Sequence, residues 1–180
     1  MKNHYIISQN IIANKSLRFA NYLIDLVVIL LLIFVLSTIF LLLSEVIGYD
    51  AEPIMTYIGE MNKLEEHLFG LLITIPYYIL IESITSRSIG KYITGTIVVD
   101  NDGNKPSTET IIKRSFCRAI PFNGLSFLGE KSRGWHDSIS ETYVVKKKEL
   151  EMEKQNYIDL EEIGRKDTYS EDTYSSKEFT

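Results

Sequence analysis

The chain has 180 residues and a formal net charge of −5, enough length for one compact domain or for a few membrane spans with their connections. Ten acidic and four basic residues after position 148 give that end a net charge of −6. The negative net charge of the chain therefore comes from its tail and says nothing about the partners of the remaining residues. Cys117 is the only cysteine and the three histidines are scattered, which excludes a disulfide and a cysteine or histidine metal cluster. We expect no metal and no cofactor.

The first predicted element is a long helix that begins near Asn14-Lys15-Ser16, with Ser16 as the expected N-cap. Residues 22–43 contain Asp25 as their only charge. As a helix they would measure about 33 Å, enough to cross the roughly 30 Å hydrocarbon core of a bilayer. The run is longer than a buried helix of a soluble protein usually is, and no signal-peptide cleavage site follows it. We therefore predict a retained span.

A second, shorter apolar run predicts another span at residues 68–84, which Pro76 should kink and in which Glu82 is the only acid. The connection before it, residues 44–66, is rich in acidic residues, and Lys63 is its only basic residue. Lysine and arginine instead cluster before the first span and after the second. The positive-inside rule therefore predicts both termini in the cytoplasm.

We predict that residues 86–148 form a small cytoplasmic cap that contains both helices and strands. The β-branched run 96–99 precedes a turn and predicts a strand, which could pair with a second strand at 142–145. Residues 108–120 predict an amphipathic helix suited to lying on the membrane surface beside anionic lipid headgroups. The apolar segment 121–128 is too short to cross, so we predict that it is re-entrant or interfacial. The basic residues Lys113, Arg114 and Arg118 are expected mostly on the side of this helix opposite its apolar residues.

The predicted fold is therefore an α-helical membrane protein with two transmembrane helices, a small cytoplasmic α+β cap and a disordered C-terminal tail. The boundaries are 1–15 for the N-terminal segment, 16–148 for the membrane domain and 149–180 for the tail. The tail has too little apolar surface to offset the entropy of ordering it. Because two helices alone enclose no pathway, we expect a homo-oligomer or a membrane protein partner.

Three blocks of residues stand in order along the chain. They are Arg18-Phe19-Ala20 through Ile24-Asp25, then Ile89-Gly90-Lys91-Tyr92-Ile93-Thr94-Gly95 leading into Val98-Val99-Asp100, and then Arg114, Cys117-Arg118 and Arg133-Gly134-Trp135-His136-Asp137 through Val145. Together these blocks resemble the RDD family of small bacterial membrane proteins, which is named for one arginine and two aspartates. The resemblance covers roughly residues 16–146.

This resemblance implies that Arg18, Asp25 and Asp137 are the family's three named positions. It also implies a multi-pass protein of the bacterial cytoplasmic membrane. Transport has been suggested for the family, with cation/proton exchange proposed for some members. This chain departs from the longer members because it lacks a convincing third span.

Arg18 and Asp25 form the first candidate site. They are seven residues apart, so a helix would place them on one face about 10 Å apart along its axis. An ionisable residue inside a span costs at least about 2.5–3.5 kcal/mol and usually faces protein or water. The pair could be a protonation-linked cation site. Alternatively it is a structural ion pair that fixes the span against the cytoplasmic segment, and we favour this alternative.

Glu82 is a secondary candidate because it lies in the second span near the same end. It could complete a carboxylate pair with Asp25, which would favour cation binding. The alternative, which we favour, is an ordinary ion pair of Glu82 with Arg87 or Lys91 at the end of the helix.

Asp137 is expected to pair with one of Arg18, Arg114 and Arg118 on the cytoplasmic side. The neighbouring His136 invites comparison with a catalytic dyad, but adjacent side chains seldom align for proton relay and no nucleophile motif accompanies them. We therefore expect no enzyme and no catalytic residue.

Two functions of different classes remain open at this point, and the family resemblance favours the first. One is a membrane transporter or transporter subunit, as the resemblance implies. The other is a scaffold or accessory protein that binds a partner through the cap or the acidic tail. The basic residues carry no nucleic-acid-binding motif, so we expect lipid and protein partners and no nucleic acid.

Overall fold

Two long helices dominate the computed structural model, which describes residues 6–120, 125–126, 129 and 133–175. Helix α1 covers Lys15–Ile47, the short helix α2 covers Glu52–Gly59, and helix α3 covers Lys63–Thr85. Both α1 and α3 are long and apolar enough to cross a membrane. They contact each other through Ile29 of α1 and the tyrosine pair Tyr77 and Tyr78 of α3.

Helix α1 begins two residues earlier than the sequence suggests. Asn14, not Ser16, is the N-cap, and its side-chain oxygen accepts a hydrogen bond from the backbone N–H of Leu17 at 2.9 Å. The 33 residues of α1 correspond to about 50 Å, well beyond the thickness of a bilayer. The first turns of α1 therefore lie beside the cap, and the apolar remainder is the candidate span.

The cap contains helix α4 at Ile89–Ile93, strand β1 at Thr96–Val99 and strand β2 at Tyr143–Lys146. The two strands pair with each other, and their antiparallel register places Thr96 opposite Lys146. The N-terminal segment adds a bridge from Ile12 to Val145, so residues 6–14 are part of the cap and not a separate interfacial piece. Ala13, Val98 and Val144 form the buried centre of this unit.

Helix α5, at Thr108–Cys117, packs along α3 in the opposite direction. Lys105, just before α5, donates a hydrogen bond to the carbonyl of Ile84 near the end of α3, whereas Ala119, just after α5, lies 3.4 Å from the ring of His67 near the start of α3. The helix is amphipathic as predicted, but the expectation that its basic residues lie beside lipid headgroups is wrong for Arg114. Arg114 is fully buried, while apolar Phe116 is 58% exposed.

The chain ends in two further helices, α6 at Trp135–Ile139 and α7 at Lys147–Ser175. The described part of the tail is thus helical, which differs from the prediction of disorder after residue 148. Leu150 packs with Val99 and Val145 and fixes the first turn of α7 to the sheet. Glutamate and lysine, the most frequent residues of α7, are strong helix formers. The predicted re-entrant segment 121–128 lies outside the described residues except for 125–126.

Candidate functional site

Asp25 lies ten residues into α1, and only 2% of it is exposed. Its oxygen Oδ2 accepts hydrogen bonds from the Ser88 hydroxyl at 2.5 Å and the Tyr78 hydroxyl at 3.2 Å. Its oxygen Oδ1 accepts from the backbone N–H of Gly90 at 2.8 Å and the Tyr77 hydroxyl at 3.2 Å. All four donors are neutral. Among the described residues, no salt bridge ends on Asp25.

Gly90 allows α4 to approach α1 closely enough for this arrangement. A Cβ atom at position 90 would lie 2.5 Å from the carbonyl oxygen of Asn21 and 2.9 Å from Asp25 Oδ1. The Asn21 side chain secures the same contact, since its amide donates to the Thr96 hydroxyl at 3.0 Å and its oxygen accepts from the Thr94 hydroxyl. Position 90 therefore requires glycine, because any other residue would place a Cβ atom too close to α1.

Glu82 has no exposed surface and is bound by three cationic side chains. Oxygen Oε1 accepts from Lys91 Nζ at 2.8 Å and from Arg118 Nη2 at 3.0 Å, and oxygen Oε2 accepts from Arg114 Nε at 3.3 Å. The Arg118 guanidinium also stacks over the ring of Tyr78, with its central carbon 3.6 Å from the ring centroid. Glu82 thus joins the end of α3 to α4 and α5.

Asp137 is equally buried and lies between two arginines. Arg18 donates to its oxygen Oδ2, Arg114 donates to Oδ1, and the backbone N–H of Gly134 donates to Oδ2 at 3.1 Å. Arg114 also donates to the Thr142 hydroxyl at 2.7 Å. Because Arg114 contacts both Glu82 and Asp137, it joins two acids that lie 55 residues apart in the chain.

These contacts connect five elements through one buried polar cluster, which we call the charge cluster. Its cations are Arg18, Lys91, Arg114 and Arg118, and its carboxylates are Asp25, Glu82 and Asp137. Removing one partner of a buried ion pair destabilises a protein by about 3–5 kcal/mol, since an uncompensated charge is left behind. The charge cluster therefore holds the cap rigidly against the first turns of α1 and the last turns of α3.

Burial and neighbouring charges shift the pKa values of three groups in the cap, Lys91, Arg114 and His136. Burial lowers the pKa of Lys91 to about 8, although the Glu82 carboxylate opposes the shift. Burial also lowers the pKa of Arg114 to about 10. The pKa of His136 falls well below its usual value because the ring is buried and four cations surround it. His136 is therefore neutral at physiological pH.

Asp137 has two of its three expected arginine partners, Arg18 and Arg114, but two other pairings considered from the sequence do not form. Arg18 and Asp25 do not form the expected pair, since the salt bridge of Arg18 goes to Asp137 and the bonds of Asp25 come from neutral groups. Glu82 does not form a carboxylate pair with Asp25 either. Its partners are Lys91, as expected, and also Arg114 and Arg118.

Sequence reasoning missed the donors to Asp25. Tyr77 and Tyr78 stand in the middle of an apolar run, where two adjacent hydroxyl groups need buried partners and could have pointed to an acid on the other span. No group of histidine, cysteine, aspartate and glutamate in the described part of the chain could hold a metal ion.

Comparison with known families gives one match. The RDD family profile aligns with residues 12–141, a range that contains all seven members of the charge cluster. Comparisons with curated proteins and with solved structures found no match.

Proposed function

The chain belongs to the RDD family, and from this premise we propose that it is a membrane scaffold or accessory protein. Two helices anchor it in the bilayer, and the charge cluster fixes the cap to their ends. The cap then presents α7 to a partner protein. The orientation of both termini towards the cytoplasm, and a location in the bacterial cytoplasmic membrane, are parts of the same proposal.

The observation that carries this proposal is that every carboxylate oxygen of the charge cluster already accepts a hydrogen bond from the protein. Asp25, Glu82 and Asp137 use both oxygens of each carboxylate to accept hydrogen bonds from protein groups. A transported cation needs several free oxygen ligands and would have to displace these donors. Such an arrangement favours a fixed structural unit over a cation-exchange site.

Helix α7 is the part of the chain best suited to bind a partner. Leu150 fixes its first turn to the sheet, and the helix then continues for 25 residues to Ser175. Residues 149–180 carry ten acidic against four basic side chains, so the matching partner surface is basic.

The test is quantitative cross-linking and co-purification from native membranes. The full chain is compared with a chain truncated after residue 148 and with a full-length variant in which Glu151, Glu153 and Glu162 are changed to glutamine. We expect one basic protein to co-purify with the full chain, to be lost on truncation and to be reduced in the triple variant. An unchanged set of co-purified proteins in all three samples would contradict the proposal.

Cation/proton exchange by an oligomer is the second candidate, and one observation favours it. The four donors to Asp25 are neutral, so a proton can bind this carboxylate without breaking a salt bridge. Proteoliposomes with Na⁺, Li⁺ or K⁺ gradients separate the two functions. The scaffold proposal predicts the same background flux for the wild type and for Asp25→Asn. A wild-type flux above background that Asp25→Asn abolishes would support exchange instead.

A further inference from the structure

A small cavity lies inside the charge cluster. It has a volume of about 50 Å³, room for a few waters or for the non-ester oxygens of one phosphate. Its wall contains one carboxylate, Asp25, and four cationic side chains, whereas Glu82 and Asp137 lie behind those cations and do not line it. The four cations are Arg18, Lys91, Arg114 and Arg118.

The described lining of this cavity is mainly cationic. Four cations and one carboxylate line it, and the pKa of His136, which also lines it, lies well below its usual value because the ring is buried near these cations. These side chains would attract an anion in the cavity and repel a cation.

Two guanidinium groups of this wall still have free donors. Nη2 of Arg114 and Nε of Arg118 are buried, and neither has a hydrogen-bond partner in the part of the chain that the structure describes. Arg114 itself has no exposed surface. Planar guanidinium donors match the oxygens of a phosphate group closely, and a buried donor without a partner costs about 1–3 kcal/mol. An anionic oxygen in the cavity would be a suitable acceptor for these donors.

The cavity continues into a larger apolar groove between the two candidate spans. Tyr22, Tyr78, Arg118 and His136 line both spaces. The groove has a volume of about 460 Å³, and its α3 wall extends from Tyr78 to Glu66, about 18 Å along the helix axis. Its middle is mostly apolar, with Leu26, Ile29, Leu71 and Ile120, and the acidic Glu66 lies at the end far from the charge cluster.

A cationic end joined to an apolar channel between membrane helices is complementary to one class of molecule. We propose that the cavity and the groove together bind one anionic phospholipid, whose phosphate oxygens contact Arg114 and Arg118 and whose acyl chain lies along the groove. The lipid would give the buried donors of Arg114 and Arg118 a hydrogen-bond partner and fill the space between α1 and α3. This site is separate from α7, so it does not depend on the scaffold role.

Lipid binding is tested on the full chain in a neutral detergent after removal of co-purified lipid. The probes are phosphatidylglycerol, zwitterionic phosphatidylcholine and inorganic phosphate, and the readouts are native mass spectrometry and the unfolding temperature. We expect phosphatidylglycerol to bind at least about tenfold more tightly than phosphatidylcholine. Inorganic phosphate at the same concentration should give no comparable shift.

Variants of the groove and of the cationic residues test the two parts of the site separately. A side chain built at Gly70 meets no neighbour within 4 Å, so Gly70→Leu places its bulk in the groove without touching the cluster. Gly59→Leu, at an equally open glycine of α2, is the matched control. We expect Gly70→Leu to weaken phosphatidylglycerol binding by about tenfold and Gly59→Leu to leave it unchanged. Arg118→Gln should remove the preference for the anionic lipid.

Three results would overturn the proposal. Equal binding of the two lipids by the wild type would show that no anion site exists, and wild-type affinity in Gly70→Leu would show that the groove holds no acyl chain. Saturation by inorganic phosphate alone would identify a free-anion site instead of a lipid site. If Arg118→Gln does not fold, the comparison of Gly70→Leu with Gly59→Leu still decides the outcome.

Discussion

The charge cluster holds its carboxylates in two different ways. Asp25 accepts hydrogen bonds from three hydroxyl groups and one backbone N–H, all of them neutral. Glu82 and Asp137 accept theirs mainly from lysine and arginine side chains that are themselves buried. Hydroxyl groups can turn and become acceptors, whereas guanidinium and ammonium groups only donate. The structure should therefore tolerate the loss of charge at Asp25 far better than at Asp137.

The largest effect is expected at Asp137. Asp137→Asn removes the negative charge that faces the buried guanidinium groups of Arg18 and Arg114, so the variant should lose about 3–5 kcal/mol of stability. The free energy of unfolding in mixed detergent and SDS micelles measures this loss. The control is Glu151→Gln, in the exposed pair of Lys147 with Glu151, which should cost no more than about 1 kcal/mol. Similar losses in the two variants would contradict the account.

The next effect is expected at Gly90, the backbone donor on the neutral side of the cluster. Gly90→Ala forces α4 away from α1, because the added methyl group would overlap the Asn21 carbonyl, and overpacking of this kind costs about 1–3 kcal/mol. The same unfolding measurement applies. Gly70→Ala, where the space is open, should instead be neutral or slightly stabilising, since alanine favours helix over glycine. A neutral Gly90→Ala would show that the close approach of α4 is not required.

A smaller loss is expected for Asp25→Asn. The amide keeps the shape of the carboxylate, and the hydroxyl groups of Ser88 and Tyr78 can reorient to accept from its NH₂ group. We expect a loss of about 1–2 kcal/mol, less than that of Asp137→Asn by a clear margin. If Asp25→Asn destabilised the protein as much as Asp137→Asn, the distinction between neutral and charged donors would fail.

The smallest effect is the pH dependence contributed by His136. Its ring faces Arg18, Lys91, Arg114 and Arg118 as well as Asp137, and its pKa lies well below the usual 6.5 in the folded protein. Below pH 6.5 the unfolded chain binds a proton that the folded protein does not, so stability falls as the pH falls, by at most about 1.4 kcal/mol per unit. His136→Gln should flatten this slope relative to the wild type. The exposed His67→Gln should not, and equal slopes in all three proteins would refute the prediction.

The long elements were predictable because their signals are local. The lengths of the two apolar runs and the β-branched residues of the two strands are sufficient to place α1, α3 and the β1–β2 pair. The orientation of α5 was not predictable in this way. An amphipathic pattern does not say whether its apolar side faces protein or lipid, and here Ile112 and Phe116 face outwards while Arg114 faces the cluster.

From the sequence, only the ion pairs of the site could be predicted. A buried aspartate such as Asp137 needs a cation, so arginine partners followed from the sequence, although which arginine could not be derived before the fold was known. The partners of Asp25 could not be predicted in this way, because neutral donors do not appear in the pattern of charged residues. Three of them, Tyr77, Ser88 and Gly90, also come from two separate segments. The helical tail was not predicted because its acidic composition also fits disorder, although the glutamates and lysines of its first half favour helix.

A double-mutant cycle between Arg18 and Asp137 tests the central claim, that the charge cluster fixes the cap to the spans, most directly. The free energies of unfolding of the wild type, Arg18→Met, Asp137→Asn and the double variant give the coupling energy of the pair. The account predicts a coupling above about 1 kcal/mol, since the two side chains form one buried contact between α1 and α6. Additive effects, within about 0.3–0.5 kcal/mol, would contradict it.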